Sequence, residues 1–150
     1  MTKIFKLNFA SRKIIGLTIF SVCLGSPAFS HTVQVVGDVA GMWHVEPNHN
    51  PKARVPAQVW VVLTKKGGKL IPLAQATCKM AVYTQPRKIG DRPILQPVVK
   101  AISAERYQGI PGASITFPKV GRYEVELGCL PKAQASFKPF QMKHSVTVAQ

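Results

Sequence analysis

The chain has 150 residues and a formal net charge of +14, set by 20 Lys and Arg against 6 Asp and Glu. That length holds one domain with one hydrophobic core. A field of that sign selects anionic partners such as lipid headgroups, acidic polymers or an acidic protein, and disfavours cationic ones.

Lys3, Lys6, Arg12 and Lys13 precede the apolar run IIGLTIFSVCL, and small residues follow, so residues 1–30 read as an export signal. The run covers 11 residues, short of the roughly 20 that cross a bilayer, and no transmembrane segment is expected in the mature chain. Ala28 and Ser30 stand third and first before a cut, which predicts cleavage before His31; the competing cut after Ala28 sets Pro27 beside the scissile position. Cys23 follows Phe20 and Val22, which do not suit lipid attachment. The mature chain, residues 31–150, keeps a charge of +10 and two cysteines, Cys78 and Cys129. An even count in a compartment that permits disulfides predicts one bridge. The expected destination is the periplasm or the cell exterior, with a protein partner in the envelope or an anionic surface as the partner class. Export and the scatter of the basic residues argue against nucleic acid.

Alternation with a period of two dominates the mature part, and no window carries a helical stripe. HTVQVV predicts a first strand and AGMWHVEP a second. AQVWVVLTKKGGKLIPL predicts a pair joined at residues 65–68, where KKGGK forms a soluble tip, since it lacks the Gly-Lys-Ser/Thr ending of a phosphate loop. ATCKMAVYT follows. QPRKIGDRPILQPVV, with Pro86, Pro93, Pro97, Gly90 and Asp91, predicts a long edge connection. YQGIPGASITFP sets Gly109, Pro111 and Gly112 at turn positions ahead of the strand ASITF. GRYEVELGCL and FQMKHSVTVA close the series. Short strands punctuated by Gly and Pro predict an all-β, two-sheet antiparallel sandwich. Tyr123, Val125, Leu127 and Cys129 share one strand face, as do Cys78, Met80 and Val82. Both thiols therefore point where the apolar residues point, as a bridge between packed sheets requires.

At FPKVGRYEVEL the chain resembles immunoglobulin-like domains, whose corner before a late strand often reads Gly-x-Tyr. The resemblance implies an immunoglobulin-like sandwich with Tyr123 as a tyrosine corner bonded to backbone upstream and Gly121 allowing the turn. Cys129 lies six residues after Tyr123 and no Trp separates the cysteines, so the antibody subtype is not implied.

All four histidines, His31, His44, His49 and His144, fall in the mature chain. Residues two apart on a strand project to one side, so Met42 with His44 and Met142 with His144 each present a thioether and an imidazole together. Copper suits both ligand types. The plainer reading places Met142 and His144 in a core row with Val146 and Val148. It likewise sets Met42, His44 and Glu46 in a solvent-facing row beside a buried Trp43, with His49 as turn filler in EPNHNP.

A small exported sandwich whose mature chain begins with His resembles the periplasmic CopC-like copper carriers, and more loosely the histidine-brace oxygenases. The resemblance implies Cu(II) held by the amine and imidazole of His31 with His44 or His144 as the second imidazole. GDVAGMWHVEPNHNP also resembles a block of uncharacterised exported cyanobacterial proteins, which adds a thylakoid lumen to the destinations. An oxygenase would want exposed aromatics around the metal, and Trp43 has the phase of a buried residue. Hydrolytic signatures are missing from the sequence, which has no Gly-x-Ser-x-Gly, His-Glu-x-x-His or Cys-x-x-Cys. The expectation is a non-catalytic binding or accessory module of the cell envelope, with copper binding through His31 as the alternative and no other cofactor.

Overall fold

The computed structural model describes residues 33–150; the expected export signal, residues 1–30, and His31 lie outside them. Nine strands follow in order: β1 (Val33–Val36), β2 (Val39–Glu46), β3 (Pro56–Lys65), β4 (Lys69–Leu70), β5 (Ala76–Thr84), β6 (Lys100–Ala104), β7 (Tyr107–Thr116), β8 (Gly121–Pro131) and β9 (Phe140–Val148). Among the described residues the helical content is one 3-10 turn at Leu73–Gln75, and no helix is long and apolar enough to cross a membrane. One antiparallel sheet runs β1-β2-β3-β7-β6 with β4 on β3, and the other runs β5-β8-β9. The predicted two-sheet sandwich is the observed architecture.

Alternation sets what fills it. Trp43 and Val45 of β2, with Val59, Val61 and Leu63 of β3, meet Met80, Val82, Val125, Leu127 and Met142 of the small sheet in one continuous core. Burial of such side chains stabilises by about 1.5–3 kcal/mol each.

Cys78 and Cys129 are bridged, but not between the sheets. They are partners in the β5·β8 ladder, with Cα atoms 4.1 Å apart and a sequence separation of 51. The shared inward phase is that of neighbouring strands in one sheet, which the alternation rule satisfies equally well.

The corner is as expected. Tyr123 donates its hydroxyl to the Lys119 carbonyl at 2.8 Å and accepts from the Lys119 N–H at 3.3 Å, while Gly121 takes φ +149° just before it.

Two expectations are corrected on the outer face of the large sheet. Gly109, Pro111 and Gly112 lie inside β7, and β6 precedes it as a strand pairing Ile102 with Ile110. Gly112 is required by proximity, since a Cβ there would stand 2.6 Å from Ile102 Cδ1 and 3.3 Å from Trp60 Cβ. The row Met42, His44 and Glu46 does not all face solvent: His44 is only 4% exposed. Trp60, Val62 and Ile110 form a second apolar cluster there, flanked by Met42, Leu70, Ile102 and Tyr107. The β6–β7 hairpin curls over that face, bringing Glu105 Oε1 to 4.0 Å from His44 Nδ1.

The Pro-rich stretch is the predicted edge connection. Leu95 pairs with Val82 at the free side of β5, and the chain then crosses to the large sheet at Lys100.

Candidate metal-binding site at the end of β2

Pairing between β1 and β2 reaches Val33 opposite Met42. On β2 beyond that pair, adjacent residues point to opposite faces. Trp43 enters the core between the sheets, and His44 turns outward onto Trp60, its ring parallel to the indole within 3° at a centroid distance of 3.7 Å. Trp60 Nε1 donates to Glu46 Oε1 at 3.2 Å, which orients the indole under the imidazole.

After Glu46 the chain folds back on itself. The His49 N–H donates to the Val45 carbonyl at 2.7 Å and the Asn50 N–H to the Pro47 carbonyl at 3.0 Å. Asn48 and His49 both take left-handed backbone angles, φ +53° and +54°. A β-turn of two left-handed residues reverses the chain tightly, and the His49 ring returns to 5.6 Å from that of His44.

His144 arrives from the other sheet. On β9 it pairs with Val125 and stacks on Trp43 at 5.4 Å, the planes 10° apart. Burial pushes its pKa below the usual histidine value, and the nearby His49 pushes it further the same way. Three histidines from β2, its following turn and β9 therefore stand around the last residues of β2.

The methionines lie elsewhere. Met42 and His44 are on one side of β2, as their spacing predicts, and Met142 and His144 are on one side of β9. Met142, however, is fully buried in the inter-sheet core against Gly41, whereas Met42 packs on the outer cluster. Each thioether thus serves a different apolar layer. Among the described residues, no three His, Cys, Asp or Glu side chains converge closely enough to hold a metal ion by themselves.

His49 is the histidine whose position the sequence did not reveal. Its signal was there in EPNHNP: a turn that follows directly on a strand must pass back over that strand's own end.

A second polar cluster covers the outer face of the small sheet. One nitrogen of Arg87, Nη1, donates to Glu124 Oε1 and Glu126 Oε2 at 2.7 Å each, and its Cζ stands 3.4 Å above the Tyr83 ring. Lys143 Nζ adds contacts of 3.4 and 3.8 Å to the same carboxylates. Burial raises the pKa of Glu124, but hydrogen bonding to Arg87 and the charge of Lys143 outweigh it and hold the group below the usual carboxylate value. Glu124 is therefore a committed anion and no proton donor. The cluster anchors the connection after β5.

The fold is shared with two solved proteins. A DUF4426 family protein from Pseudomonas aeruginosa PAO1 superposes with a TM-score of 0.52 at 14% identity, covering 80% of this chain and 97% of that one. A copper-bound variant of FetP from uropathogenic Escherichia coli strain F11 gives a TM-score of 0.52 at 16% identity, covering 79% of this chain and 94% of that one. No protein-family model and no curated protein matches the sequence.

Proposed function

We propose that the protein is an exported, non-catalytic binding module of the cell envelope, and that the end of β2 is its Cu(II) site, built on His31 and His44. One observation carries the reading: Val33 pairs with Met42. His31 lies two residues before Val33, and two extended residues span at most about 7 Å. His44 lies two residues after Met42 on the facing strand. A mature chain starting at His31 would thus deliver an amine and an imidazole to the strand end where His44 and His49 already approach each other. Nitrogen ligands of that kind suit Cu(II). The copper bound by a protein of the same fold supports the reading as an analogy of fold. His144, held against Trp43 on the opposite face of β2, is the weaker choice for the second imidazole.

The test begins with the N-terminal residue of protein processed in an exporting host, read by mass spectrometry. The same sample is then titrated with Cu(II) against a competing chelator. A chain that starts at His31, holds about one copper at submicromolar affinity and loses at least about tenfold in affinity with His44→Ala is expected. A different first residue, or failure to compete for copper, overturns the site.

A further inference from the structure

Three connections meet at the end of the sandwich where β2, β5 and β7 finish and β8 starts. The register brings them together: Arg54 N–H donates to the Phe117 carbonyl, Gln85 N–H donates to the Arg122 carbonyl, and Lys52 bridges to Ala149. Each connection carries an exposed aliphatic residue. Val55 is 48% exposed and Val120 58%, and Ile89 is fully exposed. Solitary exposed aliphatics are ordinary; these stand among cations. Lys52 and Arg54 precede Val55, Lys119 and Arg122 flank Val120, and Lys88 and Arg92 flank Ile89, all six cations exposed. The three connecting sequences contain a single acid, Asp91.

Asp91 is engaged in shaping the tip. The Lys88 N–H donates to its carboxylate at 2.7 Å and its own N–H donates to the Lys88 carbonyl at 3.2 Å, with Gly90 at φ +91° completing the turn. Behind the turn, Arg87 is fastened to Glu124 and Glu126 and stacked on Tyr83. Ile89 is therefore held outward by a braced loop, with a cation on either side. Cations also gather at the opposite end, but the β3–β4 turn there is tipped by Gly67 and Gly68.

From this we infer that the end bearing Ile89 docks on an anionic lipid surface. The six cations take the headgroups and the Ile89 side chain passes between them into the apolar boundary, with Val55 and Val120 behind it. Charge complementarity selects lipid of negative charge, and the aliphatic tips select a bilayer over a soluble polyanion. The inference stands apart from copper binding and is tested on metal-free protein.

Co-sedimentation with vesicles of phosphatidylcholine, with and without a quarter of phosphatidylglycerol, reads the partition coefficient. Each cation removed at an anionic surface weakens partitioning about fivefold, so the double variant Lys88→Gln/Arg92→Gln is expected to lose about 25-fold. Ile89→Ser, at a fully exposed position that leaves the fold intact, is expected to lose about tenfold. Lys66→Gln/Lys138→Gln, at the far end, is expected to change binding less than twofold. Equal losses from both double variants would overturn the orientation, and indifference to phosphatidylglycerol would overturn the surface. Binding to polyaspartate that depends on Lys88 and Arg92, together with vesicle binding indifferent to Ile89→Ser, would make the partner an acidic protein and overturn the lipid assignment.

Discussion

Cys78 and Cys129 face each other directly across β5 and β8, so the disulfide ties two neighbouring strands of the small sheet while leaving the large sheet untouched by any covalent link to it. Its effect is on the unfolded chain. Closing a loop between positions separated by 51 in sequence removes conformational freedom worth about 4 kcal/mol in the chain-entropy model. Cys78→Ala/Cys129→Ala should therefore unfold at a markedly lower denaturant midpoint, and mass spectrometry of oxidised protein should find neither Cys78 nor Cys129 alkylatable. A midpoint equal to that of the unsubstituted protein would refute this.

Tyr123→Phe removes one hydroxyl and keeps the ring, which packs against Phe117 at a centroid distance of 5.0 Å. The lost partner is the Lys119 carbonyl. The expected cost is about 1 kcal/mol or slightly more, read from chemical denaturation. Equal stabilities would show that the corner is held by packing alone.

Arg87→Met should loosen the connection after β5. The substitution leaves Glu124 and Glu126 with only Lys143, which is half-exposed. Breaking a fully buried ion pair costs about 3–5 kcal/mol; with all partners partly solvated, about 1–2 kcal/mol is expected here. Limited proteolysis supplies the second readout, since cleavage within residues 86–94 should accelerate more than cleavage elsewhere. Unchanged proteolysis would remove the anchoring role.

His144 makes stability depend on pH. Its folded pKa is depressed, by burial first and by His49 second, while an unfolded histidine titrates near 6.5. On acidification the unfolded chain takes up the proton before the folded one. The stabilisation is therefore complete above about pH 6.5 and is lost as pH falls through the lower folded value. In metal-free protein, His144→Gln should flatten that part of the stability profile. An unchanged slope would assign it to another group.

Most of the strand series was legible because period-two alternation is a local signal. ATCKMAVYT becomes β5, residue for residue. β6 and the first half of β7 were hidden because Gly109, Pro111 and Gly112 carry the chemistry of turns. Their reason is tertiary: Ile102 lies over Gly112, and Pro111 sits just past the point where β7 parts from β3, with no strand on that side to receive an N–H. Phase told which residues share a face but not whether the face is covered. VWVVL in β3 held that information, since an uninterrupted apolar run marks a strand buried on both sides. Read so, Trp60 and Val62 announce the outer cluster that encloses His44. The disulfide pairing followed from there being two cysteines, whereas its place within one sheet required the register.

The chain has two tryptophans, and each lies flat against a different histidine: Trp60 on His44 and Trp43 on His144. A protonated imidazole or a bound Cu(II) ion quenches the emission of an indole in contact with it. The molecule thus carries two optical reporters, one on each face of β2. With Trp43→Phe the remaining light follows His44, and with Trp60→Phe it follows His144, so the two imidazoles are separable by fluorescence without any added label.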